Sequence, residues 1–239
     1  MSFHIEDLLT GYTQEHLCTD GQGESLGALV HRDVLAPLLK LREAAFMEGF
    51  DLRLESGFRS FDRQLSIWNR KVAGELPVLD SNAQPLDITQ LAPRDLVFSI
   101  LRWSALPGAS RHHWGTDMDI VDAAATPADY EVQLIPAEVE RGGMHAPLHE
   151  WLDERMATGT AYGFYRPFDR DRGGVAPERW HLSHAPLASQ FAPLLTVDVL
   201  RETVAHAGLA LKDVVLEHLD EIYTRFVTNV SPPPGGSGA

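Results

Sequence analysis

Cysteine is nearly absent from this chain, which has a single one, Cys18, among 239 residues. One cysteine can form neither an internal disulfide nor a cysteine-rich zinc site. Any bound metal ion must therefore be held by histidine, aspartate or glutamate. A continuous apolar run of about 18 residues is also missing, so the sequence predicts no transmembrane helix.

Basic residues are outnumbered by acidic ones, with 20 Lys and Arg against 34 Asp and Glu, for a formal net charge of −14. Such a surface repels phosphate backbones, so we expect no nucleic-acid partner. The first residues, MSFHIEDLL, lack the basic start and apolar segment typical of a signal peptide. This leaves the compartment open between the cytoplasm and export with a leader that has been removed.

Hydrophobic periodicity predicts a mixed chain of helices and short strands. We expect helices at 30–47, 60–73, 94–103, 147–158 and within 197–229. We expect strands at 52–58, 116–122, 130–135, 163–168 and 179–184. The pattern predicts an α+β fold, a small and mostly antiparallel sheet with packed helices. His145 and His149 lie in a stretch rich in Gly and Pro and are predicted to be exposed.

Two His-containing stretches carry the candidate chemistry. A catalytic zinc needs three protein ligands and one open position, and His112, Asp119 and His181 form an available set. Residues seven apart would lie on opposite faces of a straight strand, so His112 must lie on a turn that Gly115 permits. A carboxylate at Glu178 could then serve as a general base.

Three motifs, taken jointly, resemble those of a known family. They are SGFRSFDRQ at 56–64, SRHHWGTDMDI at 110–120 and ERWH at 178–181. They are similar to S-G-Y-R-S-x-x-x-Q, S-x-H-x-x-G-x-A-x-D and E-x-W-H of the D-alanyl-D-alanine carboxypeptidase and dipeptidase family. These are zinc peptidases of the VanY and VanX type with a hedgehog-type fold.

The resemblance implies a role for each matching residue. It implies that His112, Asp119 and His181 hold one Zn²⁺ per chain and that Glu178 is the catalytic base. It implies that Arg59 binds substrate or stabilises the transition state, beside the substrate-side positions Gln64 and Ser110. Asp117 departs from the family's Ala, and could hydrogen-bond a ligand, compete for the metal or alter substrate preference. Asp117, Trp180 and His113 are candidates for positions directly behind the ligands.

The activity implied is hydrolysis of a peptide bond at a D-amino-acid terminus, as in D-Ala-D-Ala of peptidoglycan stem peptides. Alternatives on the same site are a murein endopeptidase or L,D-peptidase and a D-Ala-D-Ala dipeptidase. An inactive metal-bound binding module is the alternative from another class, which the presence of Glu178 disfavours. A non-haem iron oxygenase site is disfavoured because its His and carboxylate usually lie one residue apart.

The expected organisation has four parts. They are an N-terminal arm at 1–28, a zinc peptidase domain at 29–195, a C-terminal helical extension at 196–230 and a disordered tail at 231–239. We expect the arm to be loosely packed, because it shows little periodicity.

Overall fold

The structure is a computed structural model that describes residues 4–19 and 26–233. Its helices are α1 (Ile5–Thr10), α2 (Arg32–Met47), α3 (Phe61–Val72), α4 (Pro93–Leu101), α5 (Pro136–Val139), α6 (Ala146–Ala157), α7 (Ala185–Phe191), α8 (Val197–His206), α9 (Lys212–Glu217) and α10 (Leu219–Ile222). Its strands are β1 (Leu52–Ser56), β2 (Asp117–Asp122), β3 (Phe164–Tyr165) and β4 (His181–His184). A 3-10 turn covers Arg111–Trp114.

The strands in the described ranges form one antiparallel sheet in the order β1-β2-β4-β3. Side chains alternate along β2: Met118 and Ile120 lie in the apolar core, whereas Asp117 and Asp119 lie on the opposite face. The α+β class with a small antiparallel sheet is confirmed. The face that carries the aspartates is the one on which the site is built.

Two apolar clusters flank this sheet. One joins α2, the core face of the sheet and α6, with Leu38, Leu52 and Leu148 fully buried. The other joins α1, α3, α4 and the C-terminal helices, with Trp68 and Leu200 fully buried. The helices after residue 196 therefore pack against α3 and α4.

Helix α3 begins at an N-cap serine. The Ser60 hydroxyl accepts a hydrogen bond from the backbone N–H of Arg63 at 3.3 Å, as an N-cap residue does. Phe61, Gln64 and Trp68 are buried along one face of this helix. Phe61 and Trp68 pack into the second apolar cluster, and Gln64 accepts a hydrogen bond from Arg59.

The expectation of a loosely packed N-terminal arm is wrong for the segment that forms α1. Leu8 and Leu9 are buried there, and the indole N–H of Trp114 donates to the carbonyl of Leu9 at 3.1 Å. Residues 1–3 and 20–25 of the arm lie outside the described residues. Little periodicity was visible because α1 is only six residues long.

The strand predicted at 130–135 is also wrong. The carboxylate of Glu138 accepts hydrogen bonds from the backbone N–H of Gln133 at 2.8 Å and of Ile135 at 3.3 Å. Leu134 between them has φ of 53°, which is incompatible with a regular strand. A side chain thus replaces the neighbouring strand as hydrogen-bond partner, and the segment is an irregular loop.

The C-terminal region is broken near Gly208, between α8 and α9. Residues 234–239 of the predicted tail lie outside the described residues. The first tail residue, Ser231, is buried, and its hydroxyl accepts a hydrogen bond from Arg172 Nη2 at 2.7 Å. Within residues 4–19 and 26–233, every helix is too short or too polar to cross a bilayer.

Candidate metal centre and active site

His112 lies in the 3-10 turn and is 6% exposed. Its Nδ1 lies 2.8 Å from the carbonyl oxygen of Gly57, and because a carbonyl only accepts, Nδ1 carries the proton. Nε2 is therefore left with a free lone pair, 3.4 Å from Asp119 Oδ2. Burial lowers the pKa of His112 to about 4, so the ring is neutral at neutral pH.

Two glycines make this placement possible. Gly115 ends the turn with φ of 65°, and a Cβ there would lie 2.7 Å from the backbone nitrogen of His31. A Cβ on Gly57 would lie 2.4 Å from the carbonyl oxygen of Leu29. The reversal expected between His112 and Asp119 is present, and it requires glycine.

His181 faces Asp119 directly across the β2–β4 pair. Its Nδ1 lies 3.3 Å from Asp119 Oδ1 and 3.4 Å from Glu178 Oε2, while its Nε2 lies 2.9 Å from Asp117 Oδ1. An ionised carboxylate only accepts, so Nε2 donates to Asp117, while the Nδ1 edge faces Asp119 and Glu178, where a metal ion would take the place of the Nδ1 proton. Burial opposes protonation of this ring, but the carboxylates of Asp117, Asp119 and Glu178 raise the pKa of His181 well above its ordinary value.

The residues fit a metal ion. One nitrogen of His112, one of His181 and one carboxylate oxygen of Asp119 lie within 4.8 Å of one another, and all three side chains are buried. Asp119 Oδ1 is buried and accepts no hydrogen bond. Burial opposes its ionisation, yet His112 and His181 lower the pKa of Asp119 to about 2. Two imidazole nitrogens and one carboxylate are a donor set that zinc prefers, and binding of the metal would displace the proton from His181 Nδ1.

Asp117, the departure from the expected Ala, lies directly behind this cluster. It is fully buried, and its two oxygens accept four hydrogen bonds. The donors are Arg111 Nε at 2.7 Å, His181 Nε2 at 2.9 Å, Thr116 Oγ1 at 2.6 Å and Ser183 Oγ at 3.0 Å. Burial opposes its ionisation, but Arg111 and His181 hold its pKa well below the usual range. Because all its lone-pair directions are used, Asp117 orients His181 and does not compete for the metal.

Glu178 lies beside the cluster, at the start of the turn that leads into β4. Its carboxylate is 13% exposed and lines the pocket. Burial raises the pKa of Glu178, and the charge of Asp119 raises it further, while His181 and Arg59 oppose this rise. A carboxyl group with a raised pKa, open to the pocket, is suited to general acid–base work.

Arg59 lies on the other side of the cluster. Its Nη1 donates to Gln64 Oε1 at 3.0 Å, its Nη2 donates to Ser56 Oγ at 3.0 Å, and Nη2 lies 4.0 Å from Asp119 Oδ2. His113 holds the backbone of Arg59 in place, because its Nδ1 donates to the Arg59 carbonyl at 2.6 Å. Burial lowers the pKa of His113 to about 3, so His113 stays neutral.

Gln64 and Ser110 occupy different places. Ser110 lines the pocket beside His112. Gln64 is fully buried outside the pocket wall, and it holds Arg59 while its own Nε2 donates to the Ala105 carbonyl at 2.7 Å. The structure therefore places Gln64 behind Arg59, whereas we expected it on the substrate side.

The pocket has a volume of about 340 Å³. Trp180 lines it and stacks with Trp103, with ring centroids 6.5 Å apart. Trp103, Phe168 and Lys71 also line the pocket, and the sequence analysis missed all three. The sequence could have indicated Lys71, because it lies seven residues after Gln64 of the first motif and so on the same face of α3.

A family profile described as VanY, D-alanyl-D-alanine carboxypeptidase, matches residues 27–187, which is more than half of the chain. The chain belongs to the VanY family. The match contains all three motifs, and the family is one of peptidases. The resemblance inferred from those motifs is confirmed.

The chain is also similar to individual proteins and solved structures. Two uncharacterized proteins of Haemophilus influenzae are similar, one 32% identical over 124 residues (51% of this chain and 92% of that protein) and one 37% identical over 100 residues (42% and 68%). A D,D-pentapeptidase VanY mutant from a VanB-type vancomycin resistance cassette, in complex with Zn(II), is 21% identical (80% of this chain, 86% of that chain, TM-score 0.46). VanYB in complex with D-alanine-D-alanine is 20% identical (79% and 83%, TM-score 0.47).

Proposed function

We propose that this VanY-family protein is a zinc-dependent carboxypeptidase that removes the terminal residue from peptides ending in D-Ala-D-Ala, with peptidoglycan stem peptides as its substrate class. The observation that carries the proposal is the convergence of His112, Asp119 and His181, with each imidazole ring held by a hydrogen bond on its far side. Family membership supports the peptide substrate.

His112 Nε2, His181 Nδ1 and Asp119 would hold the zinc ion, one per chain. When bound at such a site, zinc polarises a carbonyl and lowers the pKa of water to about 7. Gly57 and Asp117 hold the two imidazole rings so that the free nitrogens face the same point. The protein thereby supplies a preformed site, with the supporting hydrogen bonds that metal-binding histidines usually make.

Glu178 performs the proton transfers in this proposal. Its carboxylate takes a proton from the attacking water and then gives it to the nitrogen of the leaving amino acid. Because burial raises its pKa, the group is a better base than an exposed glutamate would be and still releases the proton readily.

Arg59 stabilises the charge that develops on the scissile carbonyl oxygen. Ser56 and Gln64 hold its guanidinium 4.0 Å from Asp119, in the wall of the pocket. Fixed donors of this kind lower a reaction barrier because they need no reorganisation when charge appears. Ser110, which lines the same wall, is proposed to contact the substrate.

Mass spectrometry of stem peptides tests the proposal. Purified protein is incubated with zinc and a pentapeptide stem ending in D-Ala-D-Ala, with and without chelator, and in parallel with free D-Ala-D-Ala. We expect chelator-sensitive loss of one terminal D-Ala. Cleavage of only the free dipeptide would replace the carboxypeptidase with a dipeptidase, and cleavage inside the stem would indicate an endopeptidase. Turnover that persists in a metal-free protein would reject the zinc site.

A further inference from the structure

Lys71 is a cation in the pocket wall that none of the steps above uses. It lies in the last turn of α3 and is half-buried in the wall of the pocket that Arg59 and Glu178 also line. Among residues 4–19 and 26–233, no side chain or carbonyl pairs with its ammonium group through a hydrogen bond or close ion pair. A charged group that is partly removed from water and has no partner raises the free energy of the protein. An unpaired ammonium group in the pocket wall is therefore suited to bind an anionic group of a ligand.

The two arginines of the pocket wall already have hydrogen-bond partners within the protein. Arg111 donates to Asp117 and to Ser183, and so belongs to the support of His181. Arg59 is held by Gln64 and Ser56 next to the metal ligands, where the scissile carbonyl would lie. Lys71 is the remaining cation available to a second charged group on a substrate.

Lys71 and Glu178 line the same pocket. The charge that acts most strongly on its ammonium group is that of Glu178, followed by that of Arg59. In the proposed mechanism, Glu178 donates its proton to the nitrogen of the leaving amino acid. In a released α-amino acid, one carbon separates that nitrogen from the free carboxylate, so both must lie on the same side of the metal centre.

We propose that Lys71 binds the free α-carboxylate of the residue that is released, and that it makes the site an exopeptidase. This inference rests on the proposed function, because it assigns a partner to one group of that substrate. A substrate whose chain continues, or whose terminus is amidated, presents no carboxylate there and leaves the ammonium group unpaired. The enzyme would then discriminate by the charge of the terminus.

The test compares a peptide acid with its C-terminal amide, using zinc-loaded wild type, Lys71→Met and Lys71→Arg. We expect wild type to cleave the acid with a kcat/KM about 10–100-fold higher than that for the amide, as one charge-assisted hydrogen bond provides. Lys71→Met should lose most of this preference, mainly through a higher KM for the acid, and Lys71→Arg should keep it. Zinc content and the thermal midpoint of each variant show whether the site and the fold are intact.

Arg70→Met is the matched control, because Arg70 is the neighbouring cation on α3 but is half-exposed and pairs with Glu75 at 3.3 Å. It should keep the wild-type ratio of acid to amide cleavage. An unchanged ratio in Lys71→Met, or an equal loss on both peptides, would overturn the role of Lys71 while the peptidase activity stands. Failure of zinc-loaded wild type to cleave either peptide would instead overturn the proposed function.

Discussion

Nε2 of His181 lies 2.9 Å from Oδ1 of Asp117, and Nδ1 of the same ring lies 3.3 Å from Oδ1 of Asp119. The two aspartates are two residues apart on β2 and contact opposite edges of one imidazole. Asp117 holds the ring plane through its hydrogen bond with Nε2, and Asp119 lies at the Nδ1 edge, where the proposed metal ion would bind. One strand thus supplies both a proposed ligand and the residue that holds another proposed ligand.

Replacing Asp117 with Asn should weaken metal binding without removing a ligand. The amide keeps the shape of the side chain but loses the charge that holds His181 and Arg111. We expect zinc affinity to fall by about 10–100-fold, the usual cost of losing such a supporting partner. Competition with a chromophoric chelator measures the change. Asp122→Asn, at the far end of the same strand, is the control and should bind zinc as the wild type does; equal affinities for all three proteins would remove Asp117 from this role.

Replacing Glu178 with Gln should separate metal binding from catalysis. The amide cannot accept the proton, so we expect kcat to fall by about 10²–10⁴-fold, the range typical of general acid–base groups. Zinc content should stay at the wild-type level, because Glu178 is not one of the three clustered ligands. Elemental analysis and peptide turnover are measured on the same sample. A Gln variant with wild-type turnover would show that another group is the base.

Replacing Arg59 with Lys should reduce turnover while leaving the fold intact. Lysine keeps the charge but cannot reach Ser56, Gln64 and a substrate oxygen at once, because it lacks the planar fork. We expect a loss of about 10²–10³-fold in kcat, as for removal of one oxyanion donor. Arg63→Lys, on the exposed side of α3, is the matched control. If both variants were equally active, the guanidinium geometry would not matter.

Acid should destabilise the metal-free protein in a range set by its buried neutral histidines. Burial lowers the pKa of His16 to about 4. Between pH 6.5 and about 4 the unfolded chain therefore binds a proton at His16 that the native chain does not, so the free energy of unfolding falls as the pH falls. This residue alone should contribute on the order of 2–3 kcal/mol.

Urea unfolding of chelated protein at pH 7 and pH 4 measures this dependence. His16→Gln should flatten it, whereas His206→Gln, at an exposed position, should not. A pH dependence that is the same in His16→Gln as in wild type would contradict the assignment.

Sequence was sufficient for the residues whose positions follow from local chemistry. Gly115 reverses the chain so that His112 meets Asp119, as the spacing predicts. The grouping of His112, Asp119 and His181 could be predicted because the motifs fix residue type and spacing together. The sequence could not decide which role Asp117 plays. That role depends on hydrogen bonds from Arg111 and Ser183, which only the folded sheet brings close to Asp117.

Burial of polar residues was the least predictable property. His145 and His149 were predicted to be exposed and are fully buried. His149 lies 3.5 Å from Arg166, whose guanidinium also pairs with Asp153, so distant residues supply its environment. The segment at 130–135 does not form the predicted strand for a similar reason. The side chain of Glu138, which lies beyond the segment, accepts the hydrogen bond of the Gln133 backbone N–H that a neighbouring strand would otherwise accept.

Anomalous X-ray scattering at the zinc edge, on crystals grown with zinc, tests the central claim most directly. We predict one strong peak per chain, about 2.0–2.2 Å from His112 Nε2, from His181 Nδ1 and from an Asp119 oxygen. A peak next to His181 Nε2, or one bound by Asp117 in place of Asp119, would contradict the claim that Asp119 binds the metal while Asp117 holds His181. The absence of any peak within reach of the three side chains would contradict the metal centre itself.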